Sequence, residues 1–174
     1  MKIPLIYLIS FLMSFCSLSY EFVISTKLSH LLGEGIFIFP VTMGLFILFM
    51  GLGSALWSKL SSNFSQDQLF KYFLLLEGLL TIFGALSIIA IEHSVLGMEN
   101  FHRPLFVGFG LVAIIGFLSG QELPALFQIC SQYTHHQKLN RRIIFYDYLA
   151  SFFASVLFAL VLFRTLGLIK TALV

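Results

Sequence analysis

Residues 3–25 read IPLIYLISFLMSFCSLSYEFVIS. A helix of this length is long enough to cross the roughly 30 Å hydrocarbon core of a bilayer, which takes about 20 apolar residues. Its outer half nevertheless carries Glu21, a carboxylate where carboxylates are costly. The remaining sequence repeats both features. Apolar stretches recur at residues 36–57, 69–91, 104–127 and 143–163, and a further apolar run starts at 166 and continues to 174. Glu77, Glu122 and Asp147 lie inside three of them, so half of the eight acidic residues fall in presumptive membrane helices. Ionisable groups at such depth usually face a bundle interior or a wet cavity.

Composition fixes the class. Of 174 residues 59% are hydrophobic and 10% charged, against about 25% charged in a soluble domain. The mean hydropathy is +0.98. The expected fold is all-α: a polytopic integral membrane helical bundle of about five spans plus a short C-terminal apolar segment, forming one domain over 1–174. The net charge of +2 is scattered through short loops, and without a basic stripe nucleic acid is not an expected partner. Membrane lipid is. The first stretch is too long for the apolar core of a cleaved signal, and others follow it, so it reads as a retained signal-anchor helix. Cys16 and Cys130 read as small buried hydrophobes rather than a disulfide. With the N-terminus inside, six Lys and Arg lie on the inner side against four outside, which favours a cytoplasmic N-terminus.

Helical spacing assigns a polar or small-residue face to each span. Ser10, Ser14, Ser17 and Glu21 recur at intervals of four, three and four, with Tyr20 alongside. The second span offers Gly44, Gly51 and Ala55, and the third Glu77, Thr81 and Gly84. The fourth offers Ala113, Gly116 and Gly120, and the fifth Asp147, Ser151 and Ala154. Small residues let helix backbones approach and polar ones bond across the interface. These faces predict a compact bundle. Pro124 removes a backbone donor and frees the carbonyl of Gly120, one turn earlier and beside Glu122.

Counting from the span ends places Glu77 about 12 Å and Glu122 about 7 Å from the cytoplasmic side, at about 1.5 Å per residue. Asp147 sits about one turn into its span. The three therefore gather in the inner half as candidate ligand-binding residues, apart from Glu21. The structural alternative stays open: Asp147 caps a helix N-terminus, and Glu77 and Glu122 are neutralised and serve packing only. Glu99 and His102 have the spacing of a carboxylate–histidine pair, but in a loop, and no metal site is expected. No serine has a base at matching depth, and no glycine-rich loop follows a strand pattern. No catalytic residue or cofactor is expected.

Several short motifs together resemble a family. Tyr20-Glu21, Gly33, Gly51-Leu52-Gly53-Ser54 before Lys59, Glu77-Gly78, Gly120-Gln121-Glu122-Leu123-Pro124, Asp147-Tyr148 and Leu166-Gly167 occur in that order. The order is similar to that of the membrane-spanning N-terminal domain of bacterial spermidine synthase-like (polyamine aminopropyltransferase) proteins. That domain in turn resembles part of a major-facilitator half, whose inter-helix loop motif would begin between Gly51 and Lys59. Ala150 and Ala154 stand where the family often has glycine. The resemblance implies a bacterial inner membrane location and a polyamine as possible ligand. The catalytic aminopropyltransferase domain is not recognisable here, so the expectation is a non-catalytic membrane module. It would assemble through its small-residue faces as a homo-oligomer or with a membrane or soluble protein partner. The alternative is a carrier or receptor for a cationic ligand such as a polyamine.

Overall fold

The computed structural model describes residues 3–33, 35–61, 64–95, 103–133 and 137–165. The expected segment 166–174, the Leu166-Gly167 motif and the Glu99–His102 pair lie outside them. The described chain is all α-helical: α1 (Ile3–Leu32), α2 (Gly35–Leu60), α3 (Gln66–Val95), α4 (Arg103–Tyr133) and α5 (Gln137–Leu157). A π-helical turn (Phe158–Leu162) and a last α-helical turn (Phe163–Thr165) continue α5. Among the described residues, five helices are long and apolar enough to cross a membrane.

Every helix outruns the apolar stretch that announced it. Lys27, beyond the apolar stretch 3–25, belongs to α1, and Glu92, beyond the stretch 69–91, belongs to α3. Residues 128–133, beyond the apolar stretch 104–127, complete α4, and Gly51 to Lys59 lies within α2 instead of starting a loop. The physical reason is that hydropathy marks the hydrocarbon boundary, whereas backbone hydrogen bonding continues into the headgroup layer. At about 1.5 Å per residue α1 is roughly 45 Å long, well beyond the roughly 30 Å core. Local chemistry sets the ends. Gly33, at φ +73°, closes α1 in the left-handed conformation and donates its N–H to the Ser29 carbonyl at 2.9 Å. The Gln68 side chain reaches back to accept the Ser65 N–H at 2.9 Å, half of a capping box for α3.

Helix α1 packs against all four others, and the most extensive pairings are α2 with α4, α1 with α5 and α3 with α4. Two apolar clusters sit towards opposite ends. One holds Ile6, Met13, Trp57, Leu69, Phe73, Leu126, Ile129 and Ile143. The other holds Ile24, Leu28, Ile38, Phe46, Ile91, Val112 and Ile115. The stretch of α1 from Ser14 to Glu21, and Gln121 and Glu122 of α4, lie at the level between them.

Glycine decides how near the helices come. A Cβ on Gly116 would lie 2.7 Å from the Phe46 carbonyl oxygen, and one on Gly120 would overlap the Met50 carbonyl. From the other side, Gly53 meets the Phe117 carbonyl. Gly84 of α3 receives the Tyr20 ring. Two expected faces are corrected. Gly44, Gly51 and Ala55 are exposed, the two glycines with open space around them. The inward face of α2 is Ile38, Thr42, Phe46, Gly53 and Trp57. Two residues separate Gly51 from Gly53, which at 3.6 residues per turn is about 200° of rotation. On α3 the inward stripe is Leu69, Phe73, Leu76, Leu80, Gly84, Ser87 and Ile91, so Thr81 is exposed and Glu77 sits at the stripe's edge.

Candidate functional site

The serine stripe of α1 organises the acids. Ser10 donates to the carbonyl of Ile143 on α5 at 3.3 Å, and Ser14 donates to Oδ1 of Asp147. Ser17 is within 3.4 Å of Oε2 of Glu122 on α4, which also accepts from Ser119. Glu77 of α3 and Asp147 of α5 both lie within electrostatic range of Glu122, and Cys16 of α1 is in range of Glu77 and Glu122. Carboxylates from three helices thus gather against one face of α1. Tyr20 borders the group on the Glu77 side.

Counted along the observed helices, Glu77 stands eleven residues from the start of α3, Glu122 eleven from the end of α4 and Asp147 ten from the start of α5. All three are then about 15–17 Å from the same end of the bundle. The apolar windows placed them shallower and at unequal depths because they missed the helical ends. Glu122 is 3% exposed, while Glu77 and Asp147 are half-buried. Oε1 of Glu77 and Oε1 of Glu122 are buried and have no hydrogen-bond partner among the described residues.

Glu21 is separate. It is 1% exposed and is engaged by Ser25 of its own helix and by Thr42 of α2. Gly116, Gly120 and Tyr20 lie at helix crossings, as described above, and Gly51 does not. Pro124 lies within α4, two residues after Glu122 and half-buried. Beside Glu122, Gln121 is buried and accepts the Tyr72 hydroxyl at 2.9 Å.

Two polar contacts escape sequence reading. Lys27 and Glu92 form an ion pair at 2.7 Å between α1 and α3. The Trp57 indole N–H donates to Oε1 of Gln128 at 3.1 Å, and the Gln128 amide donates to the Ser61 carbonyl at 3.2 Å. A longer helical reading would have put Lys27 and Glu92 on helices, but nothing in their spacing pairs them.

No family model matches this chain, and no solved structure matches it. Among curated proteins it is 31% identical over 169 residues to a polyamine aminopropyltransferase of Leptospira interrogans, covering 97% of this chain and 32% of that protein. It is 33% identical over 168 residues to polyamine aminopropyltransferase 2 of Ralstonia nicotianae, covering 96% of this chain and 32% of that protein. A polyamine aminopropyltransferase of Oceanobacillus iheyensis is 28% identical over 169 residues. The chain spans about a third of the length of the curated relatives it matches. Over nearly its whole length this chain is homologous to the N-terminal region of polyamine aminopropyltransferases.

Proposed function

We propose that this chain is an intramembrane binding module for a cationic, polyamine-like solute, with Glu77, Glu122 and Asp147 as the counter-charges. The observation that carries the reading is the convergence of these three carboxylates on α1 at one depth, with two buried oxygens lacking a partner among the described residues. A buried acceptor left unmade costs about 1–3 kcal/mol, more when charged. A protonated amine supplies both the missing donors and the opposite charge. The ligand class comes from the relatives, whose names are polyamine aminopropyltransferases.

With a cytoplasmic N-terminus in a bacterial inner membrane, the group would be approached from the cytoplasmic side. A carrier role would suit the resemblance to part of a major-facilitator half.

The test is equilibrium binding and uptake of radiolabelled spermidine by the protein in proteoliposomes. Glu77→Gln and Glu122→Gln each remove a like charge from the group, so the fold should survive. Each should weaken spermidine binding by about tenfold or more, equivalent to about 1.4 kcal/mol. Unchanged binding and uptake in both variants would show that the carboxylates do not hold a polyamine.

A second reading, assembly with another copy or a partner protein, draws on the outward face of α2. There Gly44, Gly51 and Ala55 are exposed, whereas Gly53, Gly84, Gly116 and Gly120 are occupied by contacts within the chain. Its test is the mass of the particle in lipid nanodiscs; a monomer at all protein concentrations would remove it.

A further inference from the structure

We propose that the acid group on α1 is a proton-exchange site: without a bound amine, Glu77 and Glu122 hold a proton between them, and an arriving ammonium releases it. The amine in that statement rests on the polyamine reading; the proton does not.

The first observation is the sign of the surrounding charge. Glu122 of α4 is 3% exposed, and the ionised neighbours that act on it are Glu77 of α3 and Asp147 of α5, both acids. From α1 the Ser17 hydroxyl lies 3.4 Å from its Oε2, and Ser119 of its own helix also engages it. Cys16 lies in range of Glu77 and Glu122, and Tyr20 in range of Glu77. Ser14 donates to Asp147. The cationic side chains of these helices lie elsewhere. Lys27 is paired with Glu92, and His30, His93 and Arg103 belong to the opposite end of the bundle. Lys71 of α3 and Arg141 and Arg142 of α5 are exposed, five or six residues nearer the helix ends than Glu77 and Asp147. Lys59 stands in the last turn of α2.

The second observation is a matched pair of unsatisfied atoms. Oε1 of Glu77 and Oε1 of Glu122 are both buried, and neither has a hydrogen-bond partner among the described residues. They belong to α3 and α4, which pack extensively on each other.

Like charges gathered where nothing solvates them do not all persist. A proton is the smallest charge that relieves them, and it needs no cavity. A carboxyl that keeps its proton gains an O–H donor, so one proton turns two unsatisfied acceptors into a donor and an acceptor. Asp147, already engaged by Ser14, remains the ionised member. An ammonium supplies the same two things, positive charge and donors. As it binds, the carboxyl O–H bond breaks and the proton passes to bulk water. Proton and amine therefore compete, and amine affinity falls as pH falls, by up to about tenfold per pH unit for one proton displaced.

Two measurements on the full chain in lipid nanodiscs test the exchange. Without ligand at neutral pH, the infrared spectrum should contain the band of a protonated carboxylic acid. Glu77→Gln and Glu122→Gln should each diminish that band, whereas Glu92→Gln should not. A band that both buried-site variants leave unchanged would overturn the proposal. The second measurement needs no variant. The heat of spermidine binding to the unmodified protein is compared in two buffers of different ionisation enthalpy, and should differ by the equivalent of about one proton released per spermidine. Equal heats with binding intact would overturn the exchange and leave the polyamine reading standing. Absence of spermidine binding would overturn the polyamine reading and the exchange with it, and the infrared band would still decide whether the pair holds a proton.

Discussion

Ser14 and Ser17 contribute little surface, yet they decide where two carboxylates go. The Ser14 hydroxyl donates across the helix interface to Asp147, and the Ser17 hydroxyl, 3.0 Å from the Met13 carbonyl of its own helix, lies 3.4 Å from the Glu122 carboxylate. Measured interhelical bonds of this kind in membranes average only about 0.6 kcal/mol. Their contribution is therefore positional: they hold the acids of α4 and α5 to one face of α1. The Lys27–Glu92 pair is a different case. The lysine side chain is 19% exposed and the glutamate 45%, so solvent screens the pair. A double-mutant cycle with Lys27→Ala and Glu92→Ala, read by thermal unfolding in detergent, should give a coupling below about 1 kcal/mol that shrinks with salt. A coupling above about 3 kcal/mol would mean a buried pair instead.

At the scale of the helices, α2 and α4 are held together by glycines that accept a neighbouring backbone. Gly120→Leu would place a side chain into the Met50 carbonyl. It should destabilise the bundle by about 1–3 kcal/mol or more, as overpacking does. Gly51→Leu faces open space and should leave the unfolding midpoint of a monomer unchanged or slightly raised, since leucine is the better helix former. If the outward face of α2 instead meets a second copy, Gly51→Leu should disperse the oligomer. The sequence made the Gly116–Gly120 pair legible, because four-residue spacing of small residues is an unambiguous helical stripe. It misdirected the reading of α2. Gly44 and Gly51 share a face by spacing, but spacing carries no sign for inward or outward.

For the whole molecule, α1 is the hub that the other four helices contact. The stacked rings of Tyr7 and Tyr146, 4.9 Å between centroids, mark where α5 meets it. In a chain with Cys16 and Cys130 replaced, Tyr7→Cys with Tyr146→Cys should be bridged by a short bifunctional thiol cross-linker, seen as loss of both free thiols without dimer formation. Free thiols that persist would place α5 elsewhere.

Five long apolar helices, their order and the anomaly of the buried acids were determined by the sequence alone. Each is a local property: transfer of a 20-residue segment to lipid sums over its own side chains, and so does the cost of a carboxylate within it. Gathering of Glu77, Glu122 and Asp147 towards one end also followed, because antiparallel connection and helical rise are arithmetic. The rotation of each helix, the partner of each glycine and the separate pairing of Glu21 with Ser25 and Thr42 were decided only by the tertiary structure. In a bilayer the lipid is as apolar as leucine, so hydrophobicity does not separate an inward face from an outward one. What separates them is contact between helices far apart in the chain.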